Sequence, residues 1–152
     1  MLTAFWSSKV SDKIGVIKNL VEKADYLLIA GGMMFTFLKS EGREIGNSIL
    51  DVESIDFCKE ILNKYPNKII LPVDCVCGNE LSDSANTRIC KINDINDQEM
   101  GLDISYGTVD LFDTYLKMSK TIVWNGPVGA FEYDKFSIGT QKILECLSKC
   151  ES

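Results

Sequence analysis

The chain has 152 residues, enough for one domain built around a single core. Hydrophobic residues make up 45% and charged residues 25%, the balance of a folded globular chain and not of a disordered one. The formal net charge of -6 argues against a nucleic-acid or anionic-membrane surface, both of which need clustered Lys and Arg, so any anionic ligand must be held by a few lysines and main-chain donors.

No apolar run reaches the roughly 20 residues needed to cross a bilayer. The start, Met1 to Trp6, is apolar but lacks the basic leader and long apolar stretch of a secretory signal. A cytoplasmic location is expected.

In chain order, Leu2 to Trp6 is a candidate strand. Ile14, Ile17, Leu20 and Val21 recur on one helical face, with Ser11 or Asp12 as the expected N-cap. Tyr26 to Ala30 is a continuous apolar run of the kind buried on both faces of a parallel sheet, and Gly31-Gly32 ends it. Met33 to Lys39 opens the next helix, with Gly42 as its stop signal. A further helix is expected from Asp51 to Lys64 with Ile55, Cys58, Ile61 and Leu62 apolar at helical spacing, and Pro66 marks its exit.

Lys68 to Val73 reads as the next buried strand. From Asp74 to Ile92 the alternation weakens, and short strands around Cys75 to Cys77 and Thr87 to Ile92 with a turn at Gly78-Asn79 are expected. Asn93 to Gln98 is polar loop, Thr108 to Lys117 helix, Thr121 to Trp124 strand and Lys135 to Cys150 the last helix. Strands alternating with helices of this length imply βαβ units and a parallel sheet. The expected fold class is α/β, a three-layer Rossmann-like parallel sheet with helices on both faces, incomplete at its edges, and residues 1–152 form one unit.

Six cysteines raise the question of disulfides or zinc. Cys75 and Cys77 are expected on opposite faces of their strand, Cys146 and Cys150 sit four apart on a helix, neither makes a C-x-x-C pair, and the chain has no His. Free thiols and no protein-held metal are the preferred reading.

The strand from Thr121 to Trp124 runs into Asn125-Gly126-Pro127-Val128-Gly129-Ala130-Phe131-Glu132. Two glycines, a proline and a flanking Asn are more than an ordinary turn requires, and ligands of open α/β sheets bind outside the carboxyl ends of strands. Asn125 offers a short amide to a phosphate oxygen, and Glu132 can accept from ribose hydroxyls. Gly31-Gly32, taken alone, is as well explained by a tight βα turn as by a bound base or phosphate. Lys9 and Lys13, four apart, either converge on a polyphosphate or form a solvated face. Walker, G-x-G-x-x-G and G-x-S-x-G motifs are absent, and without His no Ser-His or Cys-His pair is available. The residues by themselves point to a nucleotide- or phosphate-binding domain.

Six ordered segments carry a closer likeness: Lys9-Val10-Ser11-Asp12-Lys13-Ile14, Ala30-Gly31-Gly32-Met33-Met34-Phe35-Thr36-Phe37-Leu38-Lys39, Glu44-Ile45-Gly46, Leu71-Pro72-Val73-Asp74, Met100-Gly101-Leu102-Asp103 and the loop after Val123. Together they resemble the phosphoglycerate kinases, within the C-terminal nucleotide-binding domain. The resemblance implies phosphoryl transfer between 1,3-bisphosphoglycerate and ADP, with ADP or ATP and Mg2+ as bound species, in a family that is usually monomeric. It implies that Lys13 stabilises the transferring group and Lys9 contacts phosphate. Gly31, Gly32, Ile49, Met100, Gly101 and Leu102 would form the adenine slot, Asn125 would contact phosphate, Pro127 and Gly129 would belong to the nucleotide loop, Ala130 would stand where the family often has Val, with a modest loss of contact with the base, and Glu132 would hold the ribose.

Departures are also visible. Trp6-Ser7-Ser8 stands where the family carries Gly-Gly-Ala, and no Gly-Gly-Gly-Asp-Thr turn, the family's source of a metal ligand, occurs in these 152 residues. The resemblance places 3-phosphoglycerate in a separate domain, so the chain alone is expected to show no kinase turnover. A non-catalytic remnant or interaction module is the alternative reading.

Overall fold

The computed structural model describes residues 2–5, 11–79, 87–118 and 122–125, together with Lys142 and Glu145, which are helical. Two sheets organise these residues. The first is parallel and has four strands in the order β3-β2-β1-β7. In it β1 is Leu2–Phe5, β2 is Tyr26–Ile29, β3 is Ile69–Ile70 and β7 is Ile122–Asn125. The second is antiparallel with three strands in the order β5-β4-β6, where β4 is Asp74–Gly78, β5 is Thr87–Lys91 and β6 is Met100–Ile104.

The expected parallel α/β arrangement is therefore present, and the segment named only as a possible strand lies between β2 and β7. Leu27, Leu28 and Ile29 are fully buried, which is why Tyr26 to Ala30 reads as one apolar run and not as an alternation. Each such side chain contributes about 1.5–3 kcal/mol on burial.

Four α-helices join these strands. Helix α1, Ile14–Lys23, buries Ile17 and Val21. The expected cap by Ser11 or Asp12 is not formed: a 3-10 turn, Ser11–Lys13, precedes the helix, and Lys13 occupies the capping position without a side-chain bond. Helix α2, Met33–Ser40, stops as expected at Gly42, whose φ of 87° suits glycine, with Gly42 N–H donating to Lys39 O at 2.9 Å and Arg43 N–H to Leu38 O at 3.2 Å. Helix α3, Ile55–Lys64, follows a 3-10 turn at Val52–Ser54 and buries Cys58 and Ile61. Helix α4, Tyr106–Met118, buries Thr108, Phe112 and Leu116.

Two expectations change. The strand expected over Lys68 to Val73 shrinks to Ile69–Ile70, because Pro72 has no N–H to give to a ladder. Met100 to Asp103, given no secondary structure from sequence, lies within strand β6, paired with β4 across a bulge between Val76 and Cys77.

Asp74 links the two halves of this region. Its Oδ2 accepts from Gly107 N–H at 2.8 Å and its Oδ1 from Thr108 N–H at 3.0 Å, so a carboxylate from β4 closes the first turn of α4. The Thr108 hydroxyl in turn accepts from the N–H groups of Val73 and Asp74 at 3.1 and 3.2 Å and lies 2.7 Å from Asp74 Oδ1. The Leu71-Pro72-Val73-Asp74 motif is thus a joint between strand and helix. Asp74→Ala is expected to lower the unfolding free energy by about 1–2 kcal/mol, since it leaves two helix-end donors without their acceptor while the Thr108 hydroxyl keeps the Asp74 main-chain oxygen at 3.0 Å. Urea denaturation followed by circular dichroism measures this; a loss below about 0.5 kcal/mol would show that water replaces the carboxylate.

Candidate functional site at the strand ends

Parallel pairing puts the carboxyl ends of β2, β1 and β7 on one edge. Phe5 is in register with Ile29 on one side and with Asn125 on the other, so the three strands end level. Chain order runs outward from β1 to β2 and β3 on one side and returns on the other at β7. This reversal is the crevice where open α/β sheets take ligands.

At the end of β2 the chain turns through Gly31, whose φ of 68° a side-chain-bearing residue rarely adopts, into Gly32 at the head of α2. Gly31 O accepts from Met34 N–H and Gly32 O from Phe35 N–H, both at 3.3 Å. Both glycines are only half-buried, which leaves main chain within reach of a bound group.

The loop from Ile45 to Asp51 is bonded to α2 and to β6 and is fixed at several points. Gly46 has φ of 60°, and a Cβ there would fall within 3.0 Å of the main-chain oxygens of Asn96 and Glu99. Asn47 N–H donates to Glu99 O at 2.8 Å, and the buried Ser48 accepts from Gly101 N–H through Oγ at 2.8 Å. Asp51 N–H donates to Thr36 Oγ1 at 3.1 Å, tying the loop to α2. Asp51 Oδ2 accepts from Ser11 N–H at 2.9 Å and from the Ser54 hydroxyl at 3.0 Å, tying it also to the segment that carries Lys13. Its charge adds to burial in pushing the Cys58 thiol up to about 12.

These bonds join Gly101 of β6 to Ser48, the neighbour of Ile49, and join Asp51 of the same loop to Thr36 of α2. Gly31 and Gly32 precede α2, Met100, Gly101 and Leu102 lie in β6, and Ile49 is in the loop with its side chain 56% exposed. An exposed isoleucine beside half-exposed glycine backbone is a surface on which a flat ring can lie. Gly101 has a second reason to be glycine: a Cβ there would fall within 3.0 Å of the Phe35 ring, which is buried against it. Lys13 is half-buried at the end of the 3-10 turn that Asp51 holds through Ser11. Asn125 is the last residue of β7. Lys9, Pro127, Gly129, Ala130 and Glu132 lie outside the described residues, as does Trp6-Ser7-Ser8.

Sequence reading did not single out Phe35, Ser48 or Asp51 as positioning residues. Their bonds run between segments as far as 53 residues apart, so no local pattern marks them. Neither arginine belongs to this site. Arg88 pairs with Glu99 at 2.8 Å, and Arg43 bonds to Glu41 and Asn93. A separate cavity of about 930 Å³, lined by Arg43, Lys59, Pro66, Pro72 and Lys91 among others, includes none of the expected site residues. Mg2+ requires oxygen ligands, and among the described residues the one group of three or more Cys, His, Asp or Glu side chains close enough to share an ion is Cys75, Cys77 and Cys90. The described side chains therefore do not fit a protein-built Mg2+ cage.

The cysteines correct an expectation. Cys75 and Cys77 share a face of β4, as residues two apart on a strand do, and their sulfurs are 3.4 Å apart. Cys90 faces Cys75 across the β4-β5 ladder, sulfur to sulfur at 3.7 Å, and all four cysteines among the described residues are free and buried.

This arrangement, level parallel strand ends over a glycine turn with a pinned loop beside it, defines an α/β domain of the kind that takes its ligand at the strand ends. The family model for phosphoglycerate kinase matches residues 7–152. Phosphoglycerate kinase of Fusobacterium nucleatum is 46% identical over 97% of this chain, and that of Lactobacillus helveticus is 48% identical over 97%. The solved phosphoglycerate kinase of Coxiella burnetii superposes with a TM-score of 0.96 and 34% identity over 99% of this chain and 40% of that one. This chain belongs to the phosphoglycerate kinase family. It spans 37% and 36% of the length of the two curated relatives.

Gly101→Ala is expected to destabilise the fold by about 1–3 kcal/mol through overpacking against Phe35. Adding Phe35→Leu should return part of that loss, because the shorter side chain vacates the space. Strictly additive losses in thermal or urea unfolding of the four chains of this cycle would contradict the contact.

Proposed function

We propose that this chain supplies the adenine-nucleotide site of a phosphoglycerate kinase, the glycolytic phosphotransferase that interconverts ATP plus 3-phosphoglycerate and ADP plus 1,3-bisphosphoglycerate. The observation that supports this reading is the half-exposed Gly31-Gly32 turn at the end of one of three level parallel strands, together with the bond from Gly101 N–H to the loop that carries Ile49.

In this proposal the adenine ring lies between the glycine backbone and the side chains of Ile49, Met100 and Leu102. The phosphates extend toward the crevice, where Lys9, Lys13 and Asn125 meet them. Lys13 acts by electrostatics, placing a cation where negative charge builds on the transferring group. Pro127, Gly129 and Ala130 shape the loop, and Glu132 accepts from the ribose. Mg2+ neutralises phosphate charge when it accompanies the nucleotide. The 3-phosphoglycerate site belongs to the larger length that the relatives possess, and a monomeric cytoplasmic enzyme is the corresponding whole. Among the described residues no helix is long and apolar enough to cross a membrane.

Calorimetry with ADP and ATP tests the reading. Saturable binding of both nucleotides at millimolar concentration is expected, and Gly31→Val should abolish it, because valine does not adopt a φ of 68° without strain. Lys13→Met should weaken ATP by about tenfold or more while affecting ADP less, as removal of one charge-assisted contact costs about 1.5–3 kcal/mol. No saturation, or equal binding by the folded Gly31→Val chain, would remove the nucleotide reading and leave the interaction module.

A further inference from the structure

The three thiols of the antiparallel sheet take no part in the proposed nucleotide site. Cys75 and Cys77 are 0% exposed and Cys90 is 5% exposed, and the three sulfurs lie within 4.8 Å of one another. An ion bound about 2.3 Å from each of three coplanar sulfurs sets them about 4.0 Å apart, close to the spacings of 3.4 and 3.7 Å already present between neighbours. The strands do not have to move to make such a site.

The donor set also selects. Three sulfurs with no imidazole, in a chain that has no His, form a soft site. The acidic side chains closest in the ladder are engaged elsewhere: Glu99 holds Arg88, and Asp103 Oδ1 accepts from Ile104 N–H at 2.9 Å. Structural zinc sites close with four ligands, whereas monovalent copper accepts thiolates alone.

We propose that Cys75, Cys77 and Cys90 form a buried three-thiolate site for a soft monovalent d10 ion, Cu(I) in the first instance. Each coordinating thiol gives up its proton, so loading one Cu(I) on three thiols releases up to three protons and changes no oxidation state. Three thiolates and one Cu(I) carry two net negative charges, and Arg88, a cation, is the residue in register with Cys77 on β5. Entry is from β5, an edge strand whose Thr87, Arg88 and Ile89 are exposed.

The site's register gives it a neighbour of consequence. Cys77 is paired with Gly101 across the bulge, so an ion here would stiffen the strand that carries the proposed adenine wall. Metal binding itself does not depend on the nucleotide reading.

The test is an anaerobic titration of the reduced full chain with Cu(I) in competition with bicinchoninate, in a Cys146→Ser/Cys150→Ser background that removes the other cysteine pair. One Cu(I) per chain is expected, with X-ray absorption reading three sulfur neighbours at about 2.3 Å. Cys77→Val, and separately Cys90→Val on the edge strand, should weaken binding about 100-fold or more. No Cu(I) held against the chelator, a two-sulfur shell, or undiminished affinity in either folded variant would overturn the site. The X-ray absorption result on the chain with the trio intact decides the question if both variants fail to fold.

Discussion

The parallel pairing of β1 with β2 on one side and β7 on the other is the constraint on which this structure depends. It brings Phe5, Ile29 and Asn125 to a common edge, although they are separated by most of the chain, and the Gly31-Gly32 turn follows close after Ile29. Without that register the motifs are scattered loops. With it three strand ends lie level, and the positive main-chain φ at Gly31 turns the chain sharply just beyond one of them.

A second layer of fixation holds the crevice wall. Ser48, Asn47, Asp51 and Thr36 bond the Ile45 to Asp51 loop to β6, to the strand-joining loop before it, to α2 and to the turn at Ser11. These are bonds between segments that ordinary sequence patterns do not pair. Each contributes about 1 kcal/mol, and together they keep Ile49 presented to solvent beside bare glycine backbone. An exposed apolar side chain on a loop this constrained points to a binding surface.

Much of the parallel sheet was legible in the chain itself, because strands buried on both faces leave continuous runs such as Tyr26 to Ala30, and helix stops leave glycines such as Gly42. The antiparallel sheet was less so. Its strand β6 contains glycine and aspartate, both poor strand formers, and pairs only because β4 bulges to meet it. The cap of α4 was invisible for a similar reason: its carboxylate, Asp74, comes from 33 residues upstream of Gly107. The cysteines were misplaced by a misreading of strand periodicity, since residues two apart share a face, and that error hid the convergence of three thiols. The reason for Gly101 is partly internal, the Phe35 ring, which no ligand-based reading of the motif supplies.

The central claim is that one crevice at the strand ends, with Gly31, Gly32, Ile49 and Gly101 on its wall, receives a nucleotide. Titration of 15N-labelled chain with ADP, read as amide shifts, tests it most directly. The account predicts that those four amides move together along a single saturable isotherm. Absence of shifts, or shifts gathered instead around Arg43, Lys59 and Lys91 at the separate cavity, would contradict it.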